Sequence, residues 1–340
     1  MYILLIIIVL GILACWSRPA ALKKAGDHSI NVLEQVEVGG IKQWISIRGT
    51  DVNNPILLFL HGGPGSANLA KIRIQCPELE EHFVVVTWDQ RGAGKSYTAW
   101  FNGNAPTVMQ LRSDTHEMVQ YLRQRFDGRK VYLMGFSWGS ILGLWTAHDY
   151  PEDIAAYIGV GQEVDLRQAE EQSLALLRQV VAQAGDEIAL QELSTIDPSY
   201  HNADWYTQLM IERKWLLKYG GVYATTNNYN HEALMLLKAP EYSFVDFAFW
   251  PWASAKSLKT LWPDVMQVNM FRDVPEIDVP VYFIVGQQDA NSPASVTAAY
   301  FEAVHAPQGK QLIRAEHAAH DVFFDNPEVI TDTLLALLNE

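Results

Sequence analysis

The sequence predicts an α/β fold: a mostly parallel central sheet flanked by helices, with an inserted helical lid. Three observations lead there. Short apolar runs alternate with amphipathic stretches from about residue 30 onward, as strands buried in a parallel sheet do when helices connect them. Several runs end at Gly, His or Asp, where sites form at the carboxyl ends of parallel strands. The alternation then lapses between about Glu163 and Met270, and resumes with Val281–Val285. Composition fits one large α/β unit with an insertion, or two units: 340 residues, 49% hydrophobic and 19% charged. A formal charge of −14 argues against a nucleic-acid partner, whose recognition is built on clustered Lys and Arg. Two cysteines, Cys15 and Cys76, are too few for a disulfide framework or a zinc cluster.

Taken in order, Tyr2–Cys15 is an uncharged apolar run that reads as a membrane anchor or signal segment, with a buried N-terminal helix as the alternative. Arg18, Lys23 and Lys24 follow it, and Ile12-Leu13-Ala14-Cys15 is similar to a bacterial lipobox. Residues 1–25 are set apart as that segment, with membrane association expected and the side left open. Asn31–Val38 and Lys42–Arg48 alternate apolar and polar residues around Gly39-Gly40, a hairpin signal. Ile56–Leu60, Phe83–Thr87, Val131–Met134 and Ile154–Val160 are expected strands. Thr107 with Gln110 predicts a capping box, opening a helix whose Leu111, Met118, Val119, Leu122 and Phe126 share a face. Residues 30–162 thus form the first part of the core. Residues 163–270, rich in helix formers and then in aromatics, form the lid, and 271–340 complete the core with a terminal helix over Asn326–Leu338.

The strongest chemical signal is Gly135-Phe136-Ser137-Trp138-Gly139, placed directly after a strand. A sharp strand-to-helix turn lifts a Ser137 nucleophile out of the sheet, and its glycines permit the backbone crowding this demands. His61-Gly62-Gly63-Pro64-Gly65 follows another strand. A tetrahedral intermediate needs two donors, and Trp138 N–H and Gly63 N–H are the candidates. His61 is expected to brace this loop rather than act as a base. Asp89 and Arg91, within Trp88–Ser96, are expected to organise loops; the spacing there is not that of a phosphate-binding loop. A serine nucleophile needs a base and an orienting carboxylate, in the chain order Ser, acid, His. Asp289 follows the strand Val281–Val285 at its carboxyl end, whereas Asp278 precedes it. His317 and His320 both follow the expected last strand, Gln311–Arg314, and compete for the base.

These motifs resemble the proline iminopeptidase-like branch of the α/β-hydrolase superfamily. HGGPG at 61–65, DQRGAGKS at 89–96 and GFSWGS at 135–140 match in order and spacing, over about residues 35–162 and 275–335. The family's C-terminal pattern is similar to His320-Asp321-Val322-Phe323-Phe324-Asp325-Asn326-Pro327: the His, an apolar residue three on, and Pro seven on. The resemblance therefore selects His320, leaves His317 a structural histidine, and implies a Ser137–His320–Asp289 triad under a helical cap. It implies neither metal nor cofactor. It also implies removal of an N-terminal proline from small peptides, with acidic cap residues holding the free amine. Glu163, Glu212, Glu232 and Glu241 are the candidates for that anchor, each with the alternative of a solvated surface carboxylate. The rival expectations are a carboxylesterase or lactonase acting on small apolar esters, and a non-catalytic binding protein on the same scaffold.

Overall fold

A computed structural model describes residues 16–97 and 106–339. The apolar run Tyr2–Cys15 lies outside them. Among the described residues, no helix is long and apolar enough to cross a membrane.

The described strands form one eight-stranded sheet in the order β1-β2-β4-β3-β5-β6-β7-β8. They are β1 (Ile30–Val38), β2 (Ile41–Gly49), β3 (Ile56–Leu60), β4 (Val84–Asp89), β5 (Val131–Phe136), β6 (Ile154–Val160), β7 (Val281–Gly286) and β8 (Lys310–Ala315). The β1–β2 hairpin closes with Val38 opposite Ile41, and its two turn glycines have φ of +60° and +72°. Positive φ at both positions is what a two-residue turn matching strand twist requires. β2 also pairs antiparallel with β4, and every pairing from β4 onward along the sheet is parallel.

Parallel strands need crossovers, and helices supply them. They are α1 (Lys71–Gln75), α2 (Val108–Arg125), α3 (Trp138–Asp149), α9 (Ala294–Ala303) and the closing α10 (Pro327–Leu337). Side chains alternate across β3: Ile56, Leu58 and Leu60 pack with the α2 and α3 side, while Leu57 and Phe59 join Ile72, Phe323 and Ile330 on the other. The expected capping box of α2 is half made. Thr107 accepts from Gln110 N–H, but the Gln110 amide donates to Asp114 Oδ1 at 2.7 Å instead of returning to the cap. A buried carboxylate competes successfully for that amide.

Between β6 and β7 run α4 (Leu166–Ala184), α5 (Glu187–Ser194), α6 (Trp205–Lys218), α7 (Asn230–Lys238) and α8 (Phe244–Val265). Four ties hold them over the strand ends. Trp250 Nε1 donates to Ala67 O at 2.8 Å and Ser257 Oγ to Gly92 O at 2.7 Å. Tyr242 OH donates to Asp89 Oδ1 at 2.8 Å, and Arg73 grips Glu241 with two bonds of 2.9 Å. Part of the aromatic content of this region is core for these helices: Trp205 stacks on Trp262, and Tyr200 meets Trp262 edge-on.

Candidate active site

Ser137 sits between β5 and α3 with φ +52° and ψ −122°, a left-handed conformation that costs a non-glycine residue of order 1–3 kcal/mol. Its neighbours explain why the turn can be this tight. A Cβ on Gly135 would stand 2.5 Å from Gly139 O, and one on Gly139 2.2 Å from Leu60 O. The crossing of two backbones thus admits no side chain at either position. Ser137 N–H donates to Val160 O at 3.0 Å, which ties the turn to β6. Trp138 is the first residue of α3, so its N–H is among those with no partner inside the helix.

The loop after β3 lies against this turn; a Cβ on Gly62 would be 3.2 Å from Ser137 Cβ. The Gly63–Pro64 bond is cis. His61 is buried and holds the loop, as expected from the sequence. Gln90 N–H donates to its Nε2 at 3.2 Å, so the proton resides on Nδ1, which donates to Gly62 O at 2.8 Å. Burial pushes its pKa down to about 4, leaving the ring neutral. The Gln90 side chain completes the brace, donating to His61 O and accepting from Trp138 Nε1 at 3.0 Å. Asp89 accepts from Lys95 N–H at 2.7 Å and from Tyr242, and Arg91 forks onto Asp114. Both charges organise loops.

Asp289 follows β7, and its Oδ1 accepts from Asn291 N–H at 2.9 Å and Ser292 N–H at 2.7 Å. Its Oδ2 meets His320 Nδ1 at 2.9 Å. Burial works against a charged His320, but Asp289, then Glu163 and Asp321, outweigh it and hold the ring above the ordinary histidine value. His317, expected to be a structural histidine, is exposed with φ +55°. His305 is exposed as well, 3.4 Å from Glu276.

Gly63, Ser137, Trp138 and His320 line one cavity of about 910 Å³ between the strand ends and the helices above. The upper wall is largely aromatic and aliphatic, with Phe247, Trp250, Leu258 and Trp262. The four candidate glutamates divide. Glu163 and Glu232 line the cavity, whereas Glu212 and Glu241 do not. Glu212 is wholly buried, bonded by Tyr200 and by Ser173 Oγ at 3.0 Å; Glu241 is wholly buried against Arg73. The surface-carboxylate alternative therefore fails for Glu163, Glu212 and Glu241, because each is itself buried and hydrogen-bonded by a side chain. Burial pushes Glu163 up to about 7, with His320 and the Ser292 hydroxyl pulling against it. Glu232 is also raised by burial, against the pull of Lys71, whose Nζ lies 3.8 Å away. Lys71 bonds Asp321 at 2.6 Å and stands over the Phe136 ring at 5.1 Å; Phe136 in turn lies 5.2 Å from the His320 ring.

Two cavity residues escaped the sequence reading: Glu170 on α4 and Arg213 on α6, which pair with each other. Glu170 Oε2 and Arg213 Nη1 are buried with no hydrogen-bond partner among the described residues. One signal was available for Glu170, which stands on the apolar stripe Leu166, Ala169, Leu174, Leu177 of its helix.

Known proteins resemble this chain in fold and family. The family model described as the alpha/beta hydrolase fold matches residues 55–327. The chain is 31% identical to a probable aminopeptidase, YbaC, of Bacillus subtilis, over 90% of this chain and 96% of that one. It is 32% identical to a proline iminopeptidase of Clostridium botulinum, but over only 31% of this chain and 34% of that one. Among solved structures, a proline iminopeptidase of Mycobacterium smegmatis superposes with a TM-score of 0.64 at 17% identity, covering 90% of this chain and 97% of that one. An esterase of Exiguobacterium antarcticum gives 0.61 at 18%, covering 90% and 99%. At such identities the structures share the fold alone.

Proposed function

We propose a serine acyl-transfer mechanism for this chain, a hydrolase that belongs to the α/β-hydrolase family. Ser137 is the nucleophile, His320 its base, Asp289 the partner of the base, and the Gly63 and Trp138 N–H groups the oxyanion donors. The observation that carries this reading is the 2.9 Å His320 Nδ1–Asp289 bond beside a Ser137 held at positive φ in the same cavity. With Nδ1 donating to Asp289, Nε2 is the nitrogen left to take a proton. Ser137 Oγ attacks a carbonyl carbon as His320 accepts its proton, and the carbonyl oxygen becomes the oxyanion. Collapse expels the leaving amine or alcohol, to which His320 returns the proton. Water, deprotonated by the same ring, then releases the acid and restores Ser137. Asp289 stabilises the imidazolium in both halves. Each oxyanion donor is worth about 3 kcal/mol in sites of this kind.

For substrate we propose short peptides or related amides with a free N-terminal amine, the leaving group being the amine of the second residue. A carboxylate on the cavity wall is what separates this reading from an esterase. Glu163, Glu170 and Glu232 all face the space above Ser137, and an ammonium group would relieve the burial cost that Glu163 and Glu232 now bear. The likeness to a protein named a probable aminopeptidase over nearly its whole length points the same way. The aromatic wall of Phe247, Trp250 and Trp262 favours the second reading, a carboxylesterase or lactonase on small apolar esters.

The test is hydrolysis of proline p-nitroanilide, other aminoacyl p-nitroanilides and their N-acetylated forms by the full chain, with Ser137→Ala as control. The expected result is release from the free-amine substrates only, abolished in the variant. Turnover of p-nitrophenyl esters with no preference for a free amine would replace the peptidase by the esterase.

A further inference from the structure

Helix α8 has two faces of opposite duty. Phe247, Trp250 and Leu258 turn inward and line the cavity. Turned outward are Phe244 at 65% exposure, Phe249 at 48% and Trp252 at 54%, with Val245 between them. Positions 245, 249 and 252 recur at one-turn spacing, so they form a stripe along the helix. Leu234 and Leu237 of the neighbouring α7 are half exposed as well. A run of large apolar groups of this extent is uncommon on a face that meets only water.

The border of the stripe is cationic although the chain as a whole carries −14. Lys256 and Lys259 are exposed on the same side of α8, and Lys238 ends α7. Lys259 lies 4.0 Å from the Tyr206 ring centre, and Lys256 lies 5.9 Å from that of Trp252. The acid in the first turn of α8, Asp246, is engaged by Lys95 at 2.7 Å.

The N-terminal arm ends at this place. Arg18 N–H donates to Pro240 O at 2.7 Å, in the link between α7 and α8. Lys95, while holding Asp246, also donates to Ser17 Oγ at 2.9 Å. Trp16, exposed, follows directly on the uncharged run Tyr2–Cys15. Ser17 and Arg18, the residues next to Trp16, are thus held beside the first turn of α8. Its fourteen residues fall short of the roughly 20 that a spanning helix needs. A single marginal anchor gives reversible binding, and stable attachment takes a second contact.

We propose that the outer face of α8, with Trp16, is that second contact: it lies in the interfacial region of a lipid bilayer. Phe244, Phe249 and Trp252 enter the acyl boundary, and Arg18, Lys238, Lys256 and Lys259 reach the headgroups. Aromatic side chains flanked by lysines are the chemistry such an interface selects. The inner face of the membrane-seated helix is then the roof of the cavity. This inference does not depend on the hydrolase reading.

The test uses the full chain in vesicles of phosphatidylcholine and phosphatidylglycerol carrying a phosphatidylcholine with a diazirine on its acyl chain. After illumination, lipid adducts are mapped by mass spectrometry, and hydroxyl-radical oxidation is mapped in parallel. Adducts are expected on the tryptic peptide 239–256, with Trp252 protected from oxidation several-fold relative to protein in detergent-free buffer. Exposed Ile188 on α5 should carry no adduct. Phe249→Ser with Trp252→Ser should remove most of the 239–256 adducts while those on the first sixteen residues remain. Adducts confined to those first residues, with Trp252 oxidised freely, would overturn the proposal. So would a 239–256 peptide neither tagged nor oxidised, which would mean that residues 2–15, residues 98–105 next to Tyr97, whose ring meets Trp252 at 5.6 Å, or a second copy cover the face.

Discussion

The two walls of the cavity are built differently. The lower wall, at the strand ends, is made of backbone: Ser137 tied to Val160, two glycines pressed against carbonyl oxygens, and Asp289 held by successive N–H groups. The upper wall is made of side chains from four helices; Glu170 pairs with Arg213 there, and Glu232 faces Lys71 of α1, itself bonded to Asp321. Chemistry needs positions fixed to fractions of an ångström, which backbone supplies. Selectivity needs a surface that can differ between relatives, which side chains on helices supply.

If this division holds, changes to the floor lower kcat, and changes to the roof alter which substrates are used. The largest effect is expected from Ser137→Ala, a loss of roughly 10⁴-fold or more in kcat with little change in thermal stability. Asp289→Asn should follow, about 10⁴-fold down in kcat at unchanged KM, because the wrong imidazole tautomer is then favoured. Steady-state kinetics check both, and a preserved kcat in either variant would break the floor side of the comparison. Gly139→Ala should be a stability lesion, about 1–3 kcal/mol, since its Cβ would meet Leu60 O at 2.2 Å. Denaturant titration reads it directly.

Smaller effects belong to the roof. Glu232→Gln and Glu170→Gln should raise KM for free-amine substrates about tenfold, near 1.4 kcal/mol, and leave kcat unchanged. An equal loss of kcat on every substrate would show that the two walls do not act separately. The smallest effect expected is a shift in pH dependence. His320 must be neutral to accept the Ser137 proton, so kcat/KM falls as pH drops through its free-enzyme pKa. That pKa is raised, against the lowering effect of burial, by Asp289 and in part by Glu163. Glu163, itself pushed up to about 7, carries only part of a charge in that range, so Glu163→Gln should move the acid limb slightly to lower pH.

The floor was also the more legible wall. Strands β3, β5 and β7 and the motifs at their ends are runs of a few residues whose meaning is local: apolar stretch, glycine, nucleophile, helix start. His320 was harder, because His317 sits three residues away in the same loop. A resemblance favoured His320, and its ring is the one bonded to Asp289, 31 positions earlier in the chain. The roof was legible only as a class of structure. Helices and aromatics were expected over 163–270, yet which glutamates face Ser137 was not decidable there. Glu212 and Glu241 looked equivalent to Glu163 and Glu232 and turned out to be buried elsewhere. Glu170 and Arg213 were passed over because each is one charged residue on a helix, and only their pairing across 43 positions draws them into the cavity.

The sequence by itself determined the sheet, the turn that strains Ser137, the glycines that let it close, and the place of the insertion. These follow from hydrophobic period, turn chemistry and backbone sterics, which act over a few residues. The tertiary structure alone decided which carboxylates surround Ser137, which loops His61 and Gln90 lock together, and which face of α8 is left outside. Those outcomes depend on side chains meeting across long stretches of chain, as Ser292 meets Glu163 over 129 positions. No local pattern encodes such a meeting, because it is fixed by how whole helices pack.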